Sequence, residues 1–161
     1  MDQTHIHLLI THLPIFGSIL GGFVLAYGIW TNSNPTKIAA YNLFIISAIG
    51  AGIAYLTGEA AEETAENIEG VAKNMIDQHE DFAVFALVSL IILGVASIVG
   101  ILMTFRKPNH TRKLAFVILL ISLICFGLVA RTGYLGGQIR HTELSQDTSI
   151  LFENSESQDD D

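Results

Sequence analysis

Four long stretches of this chain are apolar and, apart from Arg131 in the last of them, carry no Asp, Glu, Lys or Arg. A helix that crosses a bilayer needs about 20 such residues, whereas apolar runs of about 10 to 14 are more typical of buried helices in soluble proteins. The pattern therefore predicts an all-α fold, an integral membrane four-helix bundle. The predicted spans are residues 8–30, 38–58, 82–105 and 114–135.

The composition agrees with a membrane protein. Hydrophobic residues make up 50% of the chain, charged residues only 15%, and the mean hydropathy is +0.48, which is too apolar for an ordinary soluble domain. The first span has no basic leader of the kind that a cleaved signal peptide carries, so it is expected to stay in the protein. Residues 1–142 are predicted to form the transmembrane domain, and residues 143–161 an acidic tail that is mobile.

The charges separate between the two sides that four crossings create. All 16 acidic residues fall on the side of the termini and the second connection, together with Lys73 as a basic exception. Short loops rich in Lys and Arg stay cytoplasmic, which predicts a bacterial inner-membrane protein with both termini on the outer, periplasmic side. The net charge of −8 speaks against binding of nucleic acid. The basic residues of the predicted cytoplasmic side are Lys37, Arg106, Lys107, Arg112 and Lys113.

Most of the histidines lie on the predicted outer side, near the ends of different spans. One interfacial histidine is often no more than a hydrogen-bonding group, but imidazole is also the commonest protein ligand of metals and a usual axial ligand of haem iron. Helix ends on one face of a bundle are neighbours, so these rings could converge. Glu59 and Glu62 could complete a non-haem site with them, or only belong to a solvated acidic loop. The outer histidines are His5, His7, His12, His79 and His141.

Arg131 is an unusual cation because it lies within the last turn of the fourth span. It can extend to the interface, pair with Glu59, or bind an anionic ligand such as a haem propionate, and Arg140 could serve in the same way. The nearby glycines at 133, 136 and 137 would let the backbone approach a planar ring, or they only mark the end of the helix.

Four motifs follow one another along the chain: His7-Leu-Leu-Ile-Thr-His12-Leu-Pro14-Ile15, Thr57-Gly58-Glu59-Ala60-Ala61-Glu62-Glu63, His79-Glu80, and Gly133-Tyr134-Leu135-Gly136-Gly137 followed by Arg140-His141. In this order they resemble the motifs of a bacterial four-helix membrane domain family of unknown function. The resemblance covers about residues 5 to 142. This chain departs from the family at Leu8, where the family has proline, and at Leu13, where it has an aromatic residue.

Relatives of that family occur fused to cytochrome c or Rieske iron–sulfur modules, so the resemblance implies an electron-transferring membrane domain. Carried over by position, His7, His12, His79 and His141 would be ligands to haem iron. They could hold one haem b or two; pairing His12 with His79 is the first expectation, and His7 with His141 follows by elimination. A redox partner would be another subunit, because no such module is fused here.

Two other functions stay open. One is a non-haem metal protein that binds Zn, Cu or Fe; the other is a structural membrane subunit without a cofactor, surrounded by lipid. Neither a nucleophile–base pairing nor a phosphate-binding glycine loop is visible in the sequence. An accessory or electron-transfer subunit is therefore expected rather than a stand-alone enzyme.

Overall fold

The computed structural model describes residues 3–66, 73–106 and 111–156, with the side chains of residues 6–58, 76–106 and 111–138. It is all-helical, as predicted. The helices are α1 (Gln3–Ile10), α2 (His12–Trp30), α3 (Asn34–Glu66), α4 (Lys73–Arg106) and α5 (Thr111–Glu156).

Four helical segments are long and apolar enough to cross a membrane, which confirms the predicted number of spans. Each predicted span lies within one of these segments, which extend it by several residues where the flanking residues remain helical. The four antiparallel helices form a closed ring in which α2 packs on α3, α3 on α4, α4 on α5 and α5 on α2. The segments are Ile6–Trp30, Asn34–Gly58, Ile76–Arg106 and Thr111–Gln138.

The helices present large apolar side chains outward and small residues inward. Between 28% and 33% of the residues in each span are buried, so most of the apolar surface faces outward, as a bilayer requires. On α2 the inner face follows a helical period through Pro14, Ser18, Gly21, Leu25 and Gly28. The outer face carries Leu13, Phe16, Leu20, Phe23, Tyr27 and Trp30.

Small residues make room for buried aromatic rings where the helices meet. A methyl group added to Gly21 would lie 2.5 Å from Cε1 of Phe44, and one on Gly100 would lie 2.9 Å from the ring of Tyr41. Both aromatic rings are fully buried. In lipid, where apolar side chains gain nothing by leaving the solvent, such close packing is a main source of helix association.

One end of the bundle, called here the basic end, carries Lys37, Arg106 and Arg112. The turn from α2 to α3 passes through Asn32 in the left-handed conformation, at a φ of 51°, which Asn adopts more readily than most residues. The Lys37 ammonium is completely buried. It donates hydrogen bonds to Asn32 Oδ1 (3.4 Å), Asn34 Oδ1 (3.0 Å) and Thr111 Oγ1 (3.3 Å), and so ties this turn to the start of α5.

The opposite end, called here the histidine end, carries His7, His12 and His79. There α5 continues as one helix to Glu156, so residues 143–156 of the acidic tail have helical backbone. The mobility of the tail stays a prediction.

Candidate cofactor site

His7 lies on α1 and connects that helix to α3, near the end of the span Asn34–Gly58. Its Nδ1 is 2.8 Å from the main-chain oxygen of Ala54 and 3.3 Å from Thr57 Oγ1. A carbonyl oxygen can only accept, so Nδ1 carries the proton and donates it to Ala54. The neutral ring then presents Nε2 with an available lone pair.

His79 lies near the start of the transmembrane part of α4 and makes the equivalent contact with α5. Its Nδ1 donates to the main-chain oxygen of Thr132 at 3.0 Å, which by the same argument leaves Nε2 as the basic nitrogen. The ring lies against Gly136, where an added methyl group would be 3.1 Å from Cε1 of His79. A side chain at this position would therefore crowd the imidazole.

His7 and His79 make the same kind of contact, a hydrogen bond from Nδ1 to a main-chain carbonyl, on two different helix pairs. In each case the accepting carbonyl belongs to a residue that precedes a glycine by four positions: Ala54 precedes Gly58, and Thr132 precedes Gly136. Residues four apart lie on one helix face, so the glycine leaves the surface beside that carbonyl bare. Cε1 of His7 would lie 3.6 Å from a methyl group on Gly58, at ordinary contact distance.

Both histidines lie in phase with a buried face of their helical segment. His7 is in phase with the buried face of α2, seven residues before Pro14, and His79 is seven residues before the buried Ala86. Each ring is partly buried. The structure thus places these two predicted ligands at the same end of the bundle, each held by a carbonyl of a neighbouring helix.

Pro14 explains the break between α1 and α2. Proline has no N–H to donate to the carbonyl of Ile10, and its ring interferes with that carbonyl, so helical hydrogen bonding is interrupted one turn earlier. The intervening Thr11 keeps helical dihedral angles, with φ −60° and ψ −24°. The two helices therefore form one membrane-length segment, and α1 packs against α3.

His12 is placed differently from His7 and His79. Its Nδ1 donates to the carbonyl of Leu8 in the preceding turn, at 2.9 Å, and its ring stacks on Phe16 at a centroid distance of 6.4 Å. The side chain is exposed on the outer face of the bundle. The structure does not bring His12 together with His79, so it lends no support to that expected pairing.

Arg131 lies on the exposed surface where α4 and α5 meet. Its guanidinium carbon is 5.7 Å from the centre of the Phe82 ring and 5.6 Å from that of Tyr134. Cations at such distances from ring faces are attracted by the ring quadrupole. The contacts hold the charge at the histidine end, one residue before the carbonyl that accepts from His79.

The remaining predicted site residues lie outside the described side chains. They are Glu59, Glu62, Arg140 and His141, whose backbones belong to α3 and α5. Among the side chains that the structure does describe, no group of three or more His, Cys, Asp or Glu residues could hold a metal ion. The expected pairing of His7 with His141 and the ion pair of Arg131 with Glu59 stay predictions.

The arrangement is suited to ligation by imidazole. Histidines that bind metals usually donate their second ring N–H to a carbonyl or carboxylate, which fixes the tautomer and the ring orientation and raises the basicity of the ligating nitrogen. His7 and His79 have this partner already. The sequence pattern missed Ala54 and Thr132, because the contributing atoms are main-chain oxygens.

Comparisons with known proteins give no further guide to this site. No protein-family model, curated protein or solved structure matches the chain.

Proposed function

We propose that this chain is a haem-binding membrane protein, similar to b-type cytochromes, in which His7 and His79 ligate the iron and the protein transfers electrons within a redox complex. The observation that carries the proposal is that both rings use Nδ1 to bind a main-chain carbonyl of a neighbouring helix. This leaves the Nε2 atom of each ring available to act as a ligand.

The donor set fits haem well. A porphyrin supplies the four equatorial nitrogens itself, so two protein imidazoles are enough to complete the coordination of its iron. Bound haem iron would supply one-electron redox chemistry. The part of the protein is to fix the two imidazoles and to surround them with the apolar ends of several helices, which tunes the reduction potential.

The position of the site suits exchange of electrons with another protein. Ala54 lies four residues before the end of its span, a depth of about 6 Å at 1.5 Å per residue. Such a shallow site is accessible from one side of the membrane. Because the basic loops are placed on the cytoplasmic side, the site would face the outer, periplasmic side of a bacterial inner membrane. Both termini would lie on that side as well.

Arg131 and Arg140 are proposed to hold the anionic edge of the ligand. The guanidinium of Arg131 is fixed beside Phe82 at the same end of the bundle, and guanidinium groups bind carboxylates through paired hydrogen bonds. The site also coincides with the motifs behind the family resemblance. Thr57 and Gly58 lie beside His7, and Gly136 lies beside His79.

The test is a visible spectrum of the protein purified after expression with an adequate supply of haem. We expect a reduced-minus-oxidised spectrum with the Soret and alpha bands of a b-type haem, and one haem for each His7–His79 pair. A purified, folded protein without these bands would overturn the proposal.

A second candidate is a non-haem metal protein. It is favoured by the contact of His7 with the surface at Gly58, because Glu59 and Glu62 follow on the same helix. With His79 and His141, these carboxylates would give a mixed shell suited to Zn, Cu or Fe. Elemental analysis that finds one of these metals at a near-integral ratio, without haem, would favour it. A protein that contains neither haem nor metal would support a structural subunit instead.

A further inference from the structure

A groove on the outer surface runs between α2 and α5 at the basic end, opposite the end that carries His7, His12 and His79. It has a volume of about 280 Å³. All but one of its lining residues are apolar, and the exception is Arg112. The groove is lined by Ala26, Ile29, Trp30, Arg112, Phe116 and Leu119.

The end of this groove that carries Arg112 is positively charged. Arg112 is exposed, and the residue before it, Thr111, accepts a hydrogen bond from the buried ammonium of Lys37, whose hydrogen bonds go to neutral oxygens. The sequence has no acidic residue between Asp81 and Glu143, nor between Asp2 and Glu59. Neither the connection from α2 to α3 nor the connection from α4 to α5 therefore supplies a carboxylate that could neutralise Arg112.

The walls of the groove belong to the part of the bundle that a bilayer would cover. All six lining residues lie within the spans Ile6–Trp30 and Thr111–Gln138. The Trp30 side chain is 80% exposed and ends its span, where tryptophan prefers the membrane–water interface. The guanidinium of Arg112 lies at headgroup level and can bind a phosphate. The apolar part of the groove leads toward the membrane centre and can hold an acyl chain.

We propose that this groove binds one anionic phospholipid, with its phosphate on Arg112 and an acyl chain along Ile29, Phe116 and Leu119. Charge complementarity favours this occupant over a second copy of the chain, which would bring the same basic groups to the interface. Basic pockets between transmembrane helices are a known type of site for anionic headgroups. The inference is independent of the proposed haem function.

The experiment uses native mass spectrometry of the full-length protein in detergent, titrated separately with phosphatidylglycerol and phosphatidylcholine. We expect the wild-type protein to retain one phosphatidylglycerol and to bind phosphatidylcholine more weakly. The Arg112→Gln variant should bind phosphatidylglycerol about tenfold more weakly, as loss of a charge-assisted hydrogen bond implies. Ala26→Phe, which fills the groove and leaves the charge intact, should weaken binding similarly.

Lys113→Gln is the matched control, because it removes the same charge from the next residue, which is exposed but does not line the groove. It should bind phosphatidylglycerol as the wild type does. Equal losses for Arg112→Gln and Lys113→Gln would mean a diffuse basic surface and overturn the proposal. Equal retention of both lipids by the wild type would also overturn it, as would a dimer that Ala26→Phe dissociates. Size-exclusion chromatography and circular dichroism verify that each variant is folded.

Discussion

At the basic end of the bundle, Lys37 donates to three oxygen atoms, whereas at the histidine end His7 and His79 each donate through one ring nitrogen and keep the other as an acceptor. An ammonium group has three donors and no acceptor, so Lys37 is saturated by its neighbours. A neutral imidazole bonded in this way can still accept a ligand. The polar contacts therefore leave no free donor on Lys37 at one end, whereas they leave an available ring nitrogen on each histidine at the other.

The largest expected effect comes from removing one of the two rings proposed to ligate haem. His7→Ala or His79→Ala should reduce the affinity for haem by at least about 100-fold, because direct ligands matter more than outer partners, whose loss costs 10- to 100-fold. The measurement is the haem content of the purified variants by visible absorption. His12→Ala is the control: it removes an exposed imidazole at the same end and should retain haem at the wild-type ratio. A larger loss in His12→Ala than in the other two would contradict the assignment.

The next largest effect should follow from crowding His79. Gly136→Val places a branched side chain where even a methyl group would lie 3.1 Å from Cε1 of the ring. The displaced ring should lose its bond to Thr132, and haem affinity should fall about tenfold, as for other disturbed outer contacts. Haem titration of the apoprotein measures this change.

Gly137→Val provides the comparison, since a methyl group there has no described neighbour within 4 Å. This variant carries the same change in helix propensity but should bind haem normally. If the two variants lost haem to the same extent, the claim that Gly136 leaves the space needed by the His79 ring would be wrong.

At the basic end the effect should be on stability alone. Lys37→Met leaves three oxygens without their donor, so the free energy of unfolding should fall by about 2–3 kcal/mol, as expected for lost bonds to a charged group. Haem content should not change. Denaturant titration in detergent measures the loss, and the exposed Lys113→Met should stay within about 0.5 kcal/mol of wild type. A loss of haem in Lys37→Met would break the contrast between the two ends.

The smallest effect concerns Tyr41, which lies one turn from Lys37 and is fully buried. Its hydroxyl has no hydrogen-bond partner among the described residues. Tyr41→Phe should therefore leave the protein as stable as before or stabilise it by up to about 1 kcal/mol, because the cost of an unsatisfied polar group is removed. The same denaturant titration applies. Clear destabilisation would indicate a partner for the hydroxyl.

The sequence predicts the helices well because membrane spans depend on a local property, the length of uncharged apolar runs. It also carried a signal for His7 that the prediction did not use. The small and buried residues of α2 recur at Pro14, Ser18 and Gly21, and this period, extended backward, includes His7 and excludes His12. The expected pairing of His12 with His79 does not take this period into account.

The acceptors of the two histidines could not be predicted in the same way. Every residue carries a carbonyl, so nothing in the residue types of Ala54 or Thr132 marks them as partners. The glycines four residues later, Gly58 and Gly136, were visible in the sequence, but their relation to the imidazoles depends on how α1 packs on α3 and how α4 packs on α5. Interhelical register is a tertiary property that a single sequence does not display.

The most direct measurement of the central claim is electron paramagnetic resonance of the oxidised, haem-loaded protein. Two axial imidazoles should give a low-spin ferric signal in the wild type and in His12→Ala. Haem reconstituted at high concentration into His7→Ala or His79→Ala should give a high-spin signal, because one axial ligand is missing. A low-spin signal that persists unchanged in both of these variants would contradict ligation by His7 and His79.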